Sequence, residues 1–319
     1  MNSLERNKTH RINSVSCVLL LFFISCIKSV YAQEIVLAFD QTLGPATSLD
    51  GLARTKMLIK NMAKADVKQA MFLIRTQNLT QKTFDRVAHY DETGQLLVNA
   101  GHSYSIYLRQ KSYAYPIDVM KANAELQPFF NYHQHVYFPY LLDGTDTTLK
   151  QQLQEFLASH GYLPTYTTTF VHDEYMDWLY QQRLLDNHTV DIRKLEKAYI
   201  NMVLEPVKNY AAKAYLLLGF NPRQVLVLHE TDLTAYCITG LIDELNKLGY
   251  KVIAPEKVFT DPVANPYFVS GYSAVSYMPY ITGLREDGRT LAYVVTQYEQ
   301  QKIHVYLQQQ GLDVLIPVH

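Results

Sequence analysis

Short apolar runs, each answered by a longer amphipathic stretch, recur along this chain. That alternation, more than any other feature, limits what it can fold into. The clearest runs are IVLAF at Ile35–Phe39, KQAMFLI at Lys68–Ile74, LLVN at Leu96–Asn99 and QVLVL at Gln224–Leu228. Such runs read as strands covered on both faces. Further strands are predicted at His135–Phe138, Thr165–Val171 and Lys251–Ala254. Helical spacing is predicted over Leu52–Ala65, Gln81–Glu92, Pro116–Leu126, Leu149–Ser159, Val190–Leu217, with a break at Pro206, and Leu233–Leu248. Strands alternating with helices argue an α/β fold with a parallel sheet and crossover helices. The number of units points to an incomplete barrel rather than a small open sheet. From Asn265 to His319 the chain turns Tyr-rich, with alternating strands expected near Tyr293–Thr296 and Ile303–Leu307. This part reads as an extension packed on the main domain.

Arg6, Lys8 and Arg11 precede an apolar run from Val15 to Ile27, and Val30-Tyr31-Ala32 then offers a cleavage point before Gln33. That is the layout of a secretory signal, too short for a comfortable membrane span. A lipid-anchored variant cleaved before Cys26 is the other reading. The expected organisation is a leader at 1–32, a barrel domain at 33–262 and an extension at 263–319, placed outside the cytoplasm. Cys17 and Cys26 leave with the leader, so Cys237 has no partner for a disulfide and is expected to be buried. A net charge of -1 over 319 residues gives no basic face for nucleic acid or anionic lipid. The chain has 25 Tyr against 1 Trp, which suits sugar binding and an ordinary core alike.

The first run ends in Asp40, before a turn through Thr42, Gly44 and Pro45. The C-terminal ends of parallel strands are where such folds place their chemistry. Asp40 either caps that turn or does chemistry. Other predicted strand ends are also polar: His102, Tyr137–Tyr140, Asp177 with Trp178, and His229.

Taken in order, these pieces resemble the polysaccharide deacetylase family, the NodB-homology carbohydrate esterases. FDQTLGP (Phe39–Pro45) looks like the family's T-F-D-D-x-P, and GHSYSI (Gly101–Ile106) like H-[ST]-x-x-H. YFPYL (Tyr137–Leu141) looks like R-x-P-[YF], EYMDW (Glu174–Trp178) like D-x-x-D-W, and LVLHE (Leu226–Glu230) like the closing L-x-L-H. The resemblance implies a distorted (β/α) barrel that removes acetyl groups from peptidoglycan-like, chitin-like or xylan-like glycans, using zinc or a similar divalent metal. It implies Asp40 as base, His229 as acid, Asp177 as the carboxylate that steadies His229, and the Tyr140 N–H as an oxyanion donor. Tyr137, Pro139, Tyr140 and Trp178 would face the sugar, Trp178 as a platform or as packing.

The chain departs from the family at the metal. Only His102 matches a ligand; Gln41 and Ile106 hold the other two positions, and Tyr137 replaces the Arg beside the base. A catalytic zinc wants three protein ligands. Substitutes within reach of predicted strand ends are His133 with His135, Asp143 and Glu230. Two functions follow: a hydrolase of acetylated sugars, or a silent descendant that binds glycan or protein without turnover. Asn187-His188-Thr189 also matches an N-glycosylation acceptor.

Overall fold

The structure, a computed structural model, describes residues 33–103, 114–137, 152, 155–165, 167–261 and 297–317. The leader, Ile106, Phe138, Pro139, Tyr140, Asp143 and the expected strand near Tyr293–Thr296 lie outside them.

The strands are β1 (Gln33–Asp40), β2 (Met71–Ile74), β3 (Leu96–Asn99), β4 (Tyr132–Tyr137), β5 (Leu163–Thr165), β6 (Thr169–Phe170), β7 (Gln224–His229) and β8 (Tyr250–Val252). The helices are α1 (Gly51–Lys64), α2 (Phe84–Glu92), α3 (Ala114–Leu126), α4 (Asp173–Leu185), α5 (Ile192–Leu218), α6 (Asp232–Lys247) and α7 (Gln297–Gln309). Residues 155–159 are helical as well.

Every strand pairing is parallel, in the order β5-β4-β3-β2-β1-β7-β6, with β8 against the start of β1. Parallel pairing needs a crossover between neighbours, which the helices supply. The two edge strands are close in sequence, because only three residues, four Cα–Cα steps, separate Thr165 at the end of β5 from Thr169 at the start of β6. Four such steps reach at most ~14 Å. The sheet therefore curls until its edges face each other, an α/β barrel left open between β5 and β6.

Ile35, Leu37 and Phe39 pack outward with α1, α2 and α6, while Val36 and Ala38 pack inward with Met71, Leu73, Val98 and Val227. All five β1 residues from Ile35 to Phe39 are fully buried. Burial on both faces is why the runs are unbroken rather than alternating. Capping fixes where the helices begin. Asp50 accepts from the Leu52 and Ala53 N–H groups, and Asp191 from those of Arg193 and Lys194.

Four details differ from the sequence reading. Thr165–Val171 is two strands on opposite sheet edges: Thr168 has already joined β7, its N–H donating to the Val225 carbonyl at 3.0 Å. Helix α5 runs through Pro206 without a break, held by buried Val203, Leu204 and Val207 around it. Asp177 and Trp178 lie on helix α4 rather than at a strand end. Ile303–Leu307 is helical. Alternation at Ile303, Val305 and Leu307 suggested a strand, but Val305 is 52% exposed while Ile303 and Leu307, one turn apart, are buried.

Candidate functional site at the barrel mouth

The C-terminal ends of β1 and β7 carry the two residues at the centre of the site. Asp40 and His229 are register partners on these adjacent strands. Both are buried, and the backbone locks them together, with the Glu230 N–H donating to the Asp40 carbonyl at 2.9 Å. The Gln41 N–H donates to Asp40 Oδ1 at 2.7 Å. Gln41 itself turns the chain with φ of 52°, a left-handed conformation uncommon for a residue other than glycine.

The first turn of α4 meets the end of β7. His229 Nδ1 lies 2.6 Å from Asp173 Oδ1 and 3.2 Å from Glu174 Oε2. The His229 N–H also donates to Asp173 Oδ2 at 2.9 Å, so side chain and backbone are held by one carboxylate. Thr234 Oγ1 donates to the same oxygen at 3.1 Å. A helix N-terminus favours carboxylates in its first turn, which is where Asp173 and Glu174 stand. Burial works against charge on His229. The opposing attraction of Asp173 and Glu174, the Asp173 hydrogen bond and the nearby Asp40 outweigh it and push the imidazole up to about 10. His229 is therefore a cation at neutral pH, wedged among carboxylates. His172 continues the chain of charges, 3.5 Å from Glu174 and 3.5 Å from Glu299 of α7.

The carboxylate that holds His229 is thus Asp173, not Asp177. Asp177 lies one helical turn on and accepts from the Leu233 N–H at 2.8 Å, at the start of α6. Burial raises its carboxyl to about 6, against the lowering effect of that backbone hydrogen bond. Asp173, one residue before the matched motif, and Glu174 are the carboxylates beside the imidazole, and acidic residues opening a helix just after a β-branched run are the sequence signal for them.

A cleft of about 820 Å³ opens next to this group, reaching it at Gln41, Glu174 and Glu230, with Asp40, Asp173 and His229 behind its lining. One wall is the turn after β1, including Gln41, Gly44 and Ser48; the other is α4, including Glu174, Tyr175 and Trp178. Trp178 is 47% exposed and stacks on Tyr175, with ring centroids 5.6 Å apart and planes at 14°. The turn is rigid. Buried Arg54 donates to the carbonyls of Gly44 at 3.2 Å and Pro45 at 3.1 Å, and pairs with Asp232 at 3.3 Å. Below it, Glu230 is buried with Arg86 at 3.2 Å, and accepts from Thr55 at 2.5 Å and from the Tyr90 hydroxyl. Buried charges paired and hydrogen-bonded in this way keep the mouth in one geometry.

The expected metal set does not fit a dication. His102 has both ring nitrogens engaged: Nδ1 with Thr76 at 2.9 Å and Glu125 at 3.2 Å, and Nε2 with Lys121 Nζ at 2.7 Å. The exposed lysine donates to Nε2, so an ion at that nitrogen would have to displace the ammonium. Gln41 offers a neutral amide. Elsewhere, Asp173, Glu174 and His229 bring three donor atoms within 4.8 Å of one another. There the Nδ1 proton bonds Asp173 Oδ1, while Glu174 Oε2 accepts no hydrogen bond among the described residues, so an ion would have to displace that proton.

Tyr137 is not in the cleft. It is 1% exposed and packs in the barrel interior with Met71 and Val98. His135 stacks on Phe259 at 3.6 Å, and burial, with His133 nearby, lowers it to about 4. It lies on β4, away from the cleft lining, and His133 is exposed beside it.

No family model and no curated protein matches the chain. Similar solved structures are carbohydrate esterase family 4 proteins. A CE4 family pseudoenzyme from Bacillus anthracis is 12% identical, over 72% of this chain and 66% of that chain, with a TM-score of 0.49. Peptidoglycan deacetylase PdaC from Bacillus subtilis is 14% identical, over 72% and 90%, with a TM-score of 0.47. A family 4 carbohydrate esterase from Streptomyces lividans in complex with acetate is 13% identical, over 70% and 91%, with a TM-score of 0.44. The structural neighbours of this chain are thus polysaccharide deacetylases, a pseudoenzyme among them.

Proposed function

We propose that this is a polysaccharide deacetylase-like hydrolase of acetylated glycans that acts outside the cytoplasm. The observation that carries the reading is the pairing of Asp40 with a His229 held in its charged form by Asp173 and Glu174. An acyl hydrolase needs a base beside the attacking water and an acid beside the leaving group. Asp40 is the base. His229 holds a proton for the departing amine or alcohol, and Asp173 orients its ring. Trp178 and Tyr175 offer an apolar surface to the C–H face of a sugar ring. The five ordered motifs from Phe39 to Glu230 support the same substrate class. The apolar leader supports export, and among the described residues no helix is long and apolar enough to cross a membrane.

A second reading has its own observation. The ammonium of Lys121 on His102, with Gln41 in place of a carboxylate, favours a protein that binds acetylated glycan without turnover. Acetate release from chitooligosaccharide and acetylated xylan, with zinc or cobalt added, separates the two. Release abolished by Asp40→Asn supports the hydrolase. Binding of the same glycans with no release supports the silent binder. Neither binding nor release overturns both.

A further inference from the structure

We infer that helix α7, in the segment after the barrel, sets the sugar platform of the cleft through His304 and Tyr175. The inference rests on the reading of the cleft as a glycan site. His304 Nε2 lies 2.9 Å from the Tyr175 hydroxyl, and the two rings stack at 5.9 Å with planes at 26°. Tyr175 in turn stacks on Trp178, whose face is open to the cleft. Three rings thus form one row from α7 to the cleft.

Helix α7 is anchored well enough to act as a reference. Ile303 and Leu307 enter the main core, and the Tyr306 hydroxyl donates to the Ala198 carbonyl at 2.9 Å. Just beyond the helix, the Ile316 carbonyl accepts from Arg183 Nη2 at 3.0 Å, tying this end to α4 itself. The same helix reaches the site by a second route, through Glu299 on His172. A half-exposed indole has several open rotamers unless a neighbour fixes it. Here the neighbour is Tyr175, and its hydroxyl is fixed by His304. His304 is a positioning residue: it holds the ring that holds the platform.

The single Trp of the chain makes the test direct, since all indole emission comes from Trp178. The full chain is titrated with chitopentaose and with acetylated xylo-oligosaccharide while that emission is followed. The wild type should show a saturable change. His304→Ala and Tyr175→Phe should each bind roughly tenfold more weakly, the size expected for one lost hydrogen bond. Their unliganded emission should shift to the red. His304→Gln, which can still bond the hydroxyl, should bind within about threefold of wild type. If circular dichroism shows that His304→Ala does not fold, Tyr175→Phe decides, because it leaves α7 and its anchors intact. Wild-type affinity and emission in Tyr175→Phe overturn the inference and leave the glycan reading standing. No emission change in the wild type, with Trp178→Ala binding the same oligosaccharides equally well, also overturns the inference, whereas no binding of either oligosaccharide by the wild type, followed calorimetrically, overturns the glycan reading itself.

Discussion

Asp40 and His229 stand side by side on neighbouring parallel strands, although 189 positions separate them in the chain. The pairing is a property of the sheet: β1 and β7 are in register over their whole contact, so their last residues meet at the mouth.

The charge on His229 makes stability depend on pH. Its folded value of about 10 lies above the ordinary value for an unfolded chain, near ~6.5. A raised histidine stabilises fully below the unfolded value, and that stabilisation is lost as pH rises through the folded one. Urea unfolding at about pH 6, 8 and 9.5 should show a steady loss. His229→Gln should flatten the slope, and an unchanged slope would contradict the assignment of charge.

Asp177 should behave in the opposite sense to a stabilising carboxylate. Burial raises it to about 6, so its charged form is disfavoured in the folded state. Its contribution is present at low pH and lost as pH rises through that value. Asp177→Asn keeps an acceptor for the Leu233 N–H, and should stabilise at pH ~8 by up to about 2–3 kcal/mol. The gain should vanish below pH ~4. Thermal melts at the two pH values test this.

Asp173→Asn should differ sharply from Asp177→Asn. It removes the charge that faces His229 at 2.6 Å and leaves a buried imidazole poorly compensated. A loss of about 3–5 kcal/mol is expected near neutral pH. Chemical shifts of the His229 ring should also report a lower titration point. If Asp177→Asn moves His229 and Asp173→Asn does not, the roles assigned to the two residues are reversed.

Arg86 and Glu230 are both fully enclosed beneath the turn after β1. Arg86→Met strands the carboxylate and should cost about 3–5 kcal/mol. Adding Glu230→Gln should recover part of it, since the unpaired charge is gone. Equal melting points for the single and double variants would mean that the pair is not coupled.

Metal binding should respond to three positions together. Gln41→Asp with Ile106→His restores the residue types of the family pattern, yet Lys121 still occupies His102 Nε2. Zinc content by elemental analysis should stay well below one per chain for that double variant. It should approach one when Lys121→Gln is added. Full zinc content in the wild type would show that the ion finds other ligands.

Much of the fold was legible in the sequence, because both-face burial writes itself as unbroken apolar runs. β1, β3 and β7 fall where those runs lie. The Thr-rich run misled, since local propensity does not reveal which edge a strand joins. Ile303–Leu307 misled because residues four apart fit either period, and docking on α5 settled it. At the site, Asp40 and His229 were visible from motif order alone. Asp173 was missed in favour of Asp177: both precede a pattern-matching residue, and only the packing of α4 on β7 tells which faces the imidazole. The lysine on His102 could not be read at all, because Lys121 reaches it from α3 through tertiary structure.

The short hop from β5 to β6 carries a consequence for how such a mouth could change over time. With the opposite rims of the sheet tied by so few peptide units, aperture is governed by tether length. Widening the opening for a bulkier polymer would call for insertions at that hop, whereas substitutions along the walls would retune grip without altering girth.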